Sequence, residues 1–144
     1  MKITTRSWLL TDWVDPRLVV PQRLFRGIIF DCDGTLVDSM PVHYEVWVES
    51  LRHYNAPYEF SEEEFYALAG VREQDTVKLL NEKYGANVDP EGVAEHKFKL
   101  FQRRIKEVRE IRPVSELARR AHREKVPISV ASGSEEETVR GVLK

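Results

Sequence analysis

Two carboxylates stand two positions apart in the run Asp31-Cys32-Asp33-Gly34. At the end of an extended strand, residues i and i+2 point to the same side, so Asp31 and Asp33 can face one site while the side chain of Cys32 points elsewhere. One carboxylate can then attack and the other can carry a proton. A carboxylate nucleophile splits phosphate-ester hydrolysis into two steps through an aspartyl-phosphate. A neighbouring carboxylic acid can protonate the departing alkoxide and afterwards activate water. A divalent cation would screen the repulsion between the carboxylates and a phosphate, and Asp31 and Asp33 as oxygen donors suit hard Mg²⁺. Gly34 permits a tight turn that would free backbone amides to face a phosphate. By itself, Asp-x-Asp-Gly reads equally as a polar turn after a strand.

The elements around this run have to place it. Residues 26–31, RGIIFD, form a short apolar run that stops at the Asp-Cys-Asp-Gly turn, as a buried parallel strand would. From Pro41 the pattern becomes helical, with Val42, Trp47, Leu51 and Tyr54 at helical spacing until Asn55-Ala56-Pro57 breaks it. Ser61 with Glu64 three positions on is a capping-box signature for a helix through Leu68 closed by Gly70. Further helices are expected over residues 73–83, closed by Gly85, and over residues 90–108. After Arg112-Pro113 another amphipathic helix leads into residues 126–131, a second buried strand, and then into Ser132-Gly133-Ser134 and a helix over 135–144 with acidic residues in its first turn. The expected fold is α/β, a partial Rossmann-like parallel core with a helical cap inserted after the first strand. Its parts are an extension over 1–25 that packs on the domain, a core over 26–38 and 112–144, and a cap over 39–111.

Composition narrows the chemistry. With 42% hydrophobic and 32% charged residues among 144, the chain reads as a globular domain rather than a disordered one. The 22 basic and 24 acidic residues are scattered in short mixed runs, so no basic stripe points to nucleic acid and no polybasic patch to a membrane. A small-molecule phosphate ester is the expected partner. Cys32 is the only cysteine and cannot form an internal disulfide, which suits a reducing compartment. Asp12, Asp15 and Pro16 interrupt the apolar positions of the N-terminal stretch, and no run approaches the roughly 20 apolar residues of a membrane span, so the expected location is cytoplasmic.

The longer run FDCDGTLVDS resembles, position by position, the first motif of the haloacid dehalogenase superfamily: hydrophobic-Asp-x-Asp-Gly-Thr-hydrophobic-x-Asp-Ser/Thr. VASGS at residues 130–134 is similar to the superfamily's second motif, a strand ending in a hydroxyl residue that binds phosphate. A helix N-terminus follows it, where anions are favoured, although Ser132 also reads as a simple helix cap. The resemblance implies that Asp31 is the nucleophile, Asp33 the acid/base, Cys32, Asp33, Ser132 and Gly133 the phosphate contacts, and Asp31 and Asp33 the Mg²⁺ ligands. The helical insertion resembles the small cap of the subgroup containing β-phosphoglucomutase and fructose-1-phosphate or 6-phosphogluconate phosphatases. That likeness implies substrate contacts from His43, Arg72 and Lys97, in DSMPVHYEVW, LAGVREQDTVKLL and AEHKFKLF. His43 reads otherwise as a surface helix residue, Lys97 as a solvated charge and Trp47 as core. His53, His96 and His122 lack ligand spacing and carry no expected role.

The family's pattern continues past its second motif with a lysine and an acidic pair that this chain does not show. The expectation is therefore a C-terminally truncated chain, weakly active or inactive alone, whose exposed sheet edges favour self-association. The expected activity is Mg²⁺-dependent hydrolysis of a small sugar phosphate through an aspartyl-phosphate. A β-phosphoglucomutase-like phosphomutase and a non-catalytic remnant are the alternatives. Phe98, where the mutase pattern has an amide, tilts the choice to hydrolysis.

Overall fold

The computed structural model describes residues 24–144 together with residues 8, 9, 15, 16 and 18. In chain order its elements are β1 (Trp8–Leu9), β2 (Leu24–Phe25), β3 (Ile28–Asp31), β4 (Val37–Asp38), α1 (Met40–His53), α2 (Glu62–Ala67), α3 (Glu73–Tyr84), α4 (Pro90–Arg104), β5 (Arg109–Glu110), α5 (Arg112–Arg123), β6 (Ile128–Ala131) and α6 (Glu136–Val142). They fall into two compact units, Met1–Asp38 with Arg109–Lys144, and Ser39–Val108. The extension expected over 1–25 lies mostly outside the described residues, apart from an antiparallel pairing of β1 with β2.

In the first unit β3 and β6 pair in parallel and in step, from Ile28 beside Ile128 to Asp31 beside Ala131. The fold is α/β, as the sequence implies. Both strands are shorter than expected. β6 starts at Ile128 because the preceding residues close α5: Lys125 takes φ +58° and the Val126 amide donates to the Ala121 carbonyl at 2.9 Å. That is the left-handed helix ending usually made by glycine. The expectation of buried strands is corrected as well. Phe30 is buried, but Ile29 is 72% exposed, and Ile128 and Val130 are 38% and 40% exposed. Two strands leave most of their pleated surface uncovered among the described residues, and an apolar hollow of about 480 Å³ lined by Phe30, Leu36, Ala118, Ile128, Val130 and Leu143 borders them. The two-residue antiparallel pairing of β4 with β5, Val37 beside Glu110, was too short to leave a period in the sequence.

The second unit is wholly helical, and its local signals are in the chain. Pro41 and Pro90 stand in the first turns of α1 and α4, where a missing N–H costs no hydrogen bond. Ser61 and Glu64 form the full capping box of α2, which ends at Ala67 with Leu68 as its C-cap, and Gly70 follows at φ 87°. Gly85 closes α3 at φ 63°. α4 stops at Arg104, short of the expected residue 108, and gives way to a 3₁₀ turn over Ile105–Glu107 that the Arg104–Glu107 ion pair bridges. Glu64 also accepts from Lys83 and Tyr84, and these bonds, with the Ser61 amide, draw its carboxyl down to about 2. The core comprises Trp47, Leu51, Phe60, Phe65, Val77, Leu80, Val88 and Val93.

Among the described residues Phe101 is the largest fully buried side chain, 2% exposed, and its ring stacks on His43 at 3.9 Å. Phe101→Ala is expected to cost about 3–5 kcal/mol through lost burial and the cavity left behind. Urea denaturation of wild type and variant checks this, and a cost below about 1 kcal/mol would mean the site collapses around the smaller residue.

Candidate active site

Asp31 is the last residue of β3 and is exposed, with the Thr35 hydroxyl donating to its Oδ2 at 2.8 Å. That bond fixes the carboxylate plane. Cys32, next in line, turns inward and is fully buried. Burial first, then the charges of Asp33 and Asp31, push its thiol up to about 11, so it stays protonated and neutral at pH 7. Gly34 takes φ 74°, the left-handed turn its position calls for. The expectation that this turn frees amides for a phosphate is corrected. The amides of Thr35, Leu36 and Val37 all donate to the Cys32 carbonyl, at 3.2, 2.9 and 3.1 Å, and that of Gly34 donates to the Val37 carbonyl at 2.8 Å. These four amides are taken up within the turn.

Because β3 and β6 run in parallel and in step, the residues just past Asp31 meet those just past Ala131. Asp33 Oδ2 accepts the Ser134 hydroxyl at 2.8 Å and the Ser132 hydroxyl at 3.3 Å. Ser132 Oγ in turn accepts the Ser134 amide at 3.0 Å. The polar ends of the two strands thus form one constellation: a carboxylate oriented by Thr35, a second oriented by two hydroxyls, and the open Gly133, around which an added Cβ would touch nothing within 4 Å. A carboxyl oxygen accepting two hydroxyl donors is held in one rotamer, as a proton carrier needs to be.

The donors that Asp31 and Asp33 offer are all oxygen, which fits Mg²⁺ in kind. Among the described residues no group of three or more His, Cys, Asp or Glu side chains is gathered to hold a metal. The fit extends to the oxygens of these two residues and no further.

In the helical unit Lys97 is 7% exposed, so the reading of it as a solvated charge does not hold. Its ammonium pairs with Glu73 at 2.9 Å and lies 5.4 Å from the centroid of the buried Trp47 ring. Burial alone would raise the Glu73 carboxyl, but Lys97, by charge and by hydrogen bond, outweighs it with help from His43, and the net shift is downward. His43 is half-buried against Phe101. Arg72, at the N-cap of α3, is exposed. The structure therefore brings Lys97 and His43 to one charged group, Glu73. The sequence reading missed Glu73, Thr35 and Ser134. Thr35 stood inside the first motif and Ser134 two places past Ser132, so a count of hydroxyls near the carboxylates would have found both. Nothing local announces Glu73.

Residues 25–144 match the family model described as haloacid dehalogenase-like hydrolase. The fructose-1-phosphate phosphatase YqaB of Escherichia coli is 29% identical over 119 residues, 83% of this chain and 62% of that protein. An uncharacterized protein of Haemophilus influenzae is 31% identical over 111 residues, 76% of this chain and 54% of that protein. The chain thus spans a little over half the length of these curated relatives. Among solved structures, a hydrolase from Pseudomonas syringae superposes with TM-score 0.70 at 21% identity, over 83% of this chain and 55% of that one. CbbY from Rhodobacter sphaeroides in complex with xylulose-(1,5)bisphosphate superposes with TM-score 0.69 at 17% identity, over 81% and 55%.

Proposed function

Because the chain belongs to the haloacid dehalogenase-like hydrolase family, we propose that it carries the nucleophile-bearing half of a phosphatase that hydrolyses small sugar phosphates. The observation that carries this reading is the convergence of Asp33 with Ser132 and Ser134 at the in-step ends of β3 and β6, beside Asp31. Asp31 Oδ1 attacks phosphorus and the ester oxygen leaves. Asp33, entering as the acid, delivers its proton to that oxygen. As the carboxylate it then takes a proton from water, which attacks the aspartyl-phosphate and releases inorganic phosphate. The Ser132 and Ser134 hydroxyls hold Asp33 in position, and Ser132 turns to donate to the phosphate, with Gly133 leaving room for its approach. Mg²⁺, held by Asp31 and Asp33, would screen the charge between carboxylate and phosphate when bound.

Support for a sugar phosphate comes from the relative named a fructose-1-phosphate phosphatase, which aligns over 83% of this chain. Phosphate release from a panel of hexose and pentose monophosphates, with Mg²⁺ and with the metal chelated, tests the proposal. Equal release with and without metal, or none from any sugar phosphate by a chain extended to the relatives' length, would overturn it.

Arg72 is proposed to grip the part of the substrate away from the reacting phosphate, since an exposed guanidinium can hold a polyol or carboxylate through a fork of donors. Arg72→Ala is expected to raise KM for the preferred sugar phosphate by roughly 10- to 100-fold while changing KM for a small aryl phosphate by less than about threefold. Steady-state kinetics on both substrates check this, and parallel losses would make Arg72 structural.

A further inference from the structure

Among the described residues, α1 and α4 pack on each other more extensively than any other two helices. At one point of that contact two histidines lie face to face. His53, the last residue of α1, stacks on His96 of α4 with ring centroids 4.2 Å apart and planes 7° apart, and Tyr54 stands edge-on to both rings. The stack is locked from below. Ser50 is fully buried and its hydroxyl donates to the Val46 carbonyl at 2.7 Å, so at its 3.1 Å contact with His96 Nδ1 the serine oxygen accepts and the imidazole donates. This assigns neutral His96 the Nδ1–H tautomer and leaves Nε2 as the only place for a second proton.

A proton at Nε2 turns the His96 ring into a cation lying flat against His53. The charged groups acting on His96 are His53 and Glu49 from α1, and Lys99 and Arg103 from α4. Only Glu49 favours the cation, and Lys99 is itself paired with Glu95. Burial, then His53, hold the His96 pKa below its ordinary 6.5.

We propose that the His53–His96 stack, anchored by Ser50, is a proton-operated clamp between α1 and α4, closed when His96 is neutral and released when it is protonated. The sign follows from linkage. A histidine whose pKa is lower in the folded chain binds its proton more readily unfolded. The clamp's contribution is therefore complete above pH 6.5 and is lost as pH falls through the folded value. The phosphatase reading is not needed for this, and the clamp can be tested whether or not the chain turns over any substrate.

Imidazole NMR titration of the whole chain between about pH 8 and pH 5, with His53→Gln alongside, provides the test. His53 is exposed, so its replacement leaves the core untouched. His96 in the wild type is expected to titrate below 6.5. In His53→Gln its midpoint moves upward, and the drop in urea midpoint on acidification is smaller than in the wild type. A wild-type His96 that titrates at or above 6.5, or a midpoint that His53→Gln does not move, would overturn the clamp.

Discussion

Replacing Asp31 with asparagine is expected to remove phosphate release altogether, a loss on the order of 10³-fold or more, which is about 4 kcal/mol of barrier. The amide has nearly the shape of the carboxylate, and its oxygen can still accept from Thr35 as Asp31 Oδ2 does. What it lacks is the anionic oxygen that forms the bond to phosphorus, so the first of the two steps has no nucleophile. Asp31 is exposed and lies outside the packed interior of its unit, so thermal or urea stability should change by no more than about 0.5 kcal/mol. The pairing of a catalytic zero with an unchanged melting curve separates this assignment from a structural role. Turnover at the wild-type rate would remove Asp31 from the mechanism, and a comparable loss of stability would mean that the side chain holds the turn rather than attacks.

How much of this could be read along the chain depends on whether the signal is local. The turn after β3 and the hydroxyl run after β6 were legible because each apolar run ends at a polar one. The in-step pairing of the two strands then makes Asp33 and Ser132 neighbours. The capping box at Ser61 and Glu64, and the glycine closing α3, are equally local, set by side chains within a few residues of the backbone groups they satisfy. The pairs that cross between helices were not legible. Glu73 meets Lys97 across 24 residues, and His53 meets His96 between α1 and α4, with no periodic mark on either partner. Lys97 shows how this misleads. Flanked by His96 and Phe98, it reads as a solvated charge, and only the packing of α4 against α1 and α3 sets its ammonium beside Glu73 and over Trp47. The amides of residues 34–37 were not legible for a different reason. Glycine predicts that the backbone can turn, but which carbonyl its neighbours then find is decided by the turn's closure on Cys32.

Asp33→Asn is the second large effect, and it is expected to fail at a different step. The amide cannot give a proton to the departing oxygen or take one from water, so turnover of a sugar phosphate should fall by roughly 10²- to 10⁴-fold. An aryl phosphate needs no proton on its leaving group, and for that substrate Asp31 still attacks. The second step then has no base, so the aspartyl-phosphate should accumulate, visible by mass spectrometry as one added phosphoryl group per chain. The Ser132 and Ser134 hydroxyls that converge on Asp33 Oδ2 can still donate to the amide oxygen placed there, which keeps the local geometry. The trapped adduct is then a chemical result rather than a consequence of rearrangement. Three outcomes separate the roles: an adduct in Asp33→Asn and none in the double variant with Asp31→Asn supports nucleophile and acid/base as assigned. An adduct that persists in the double variant places the nucleophile elsewhere. Full turnover in Asp33→Asn alone would leave the two serines orienting a carboxylate that takes no part in the chemistry.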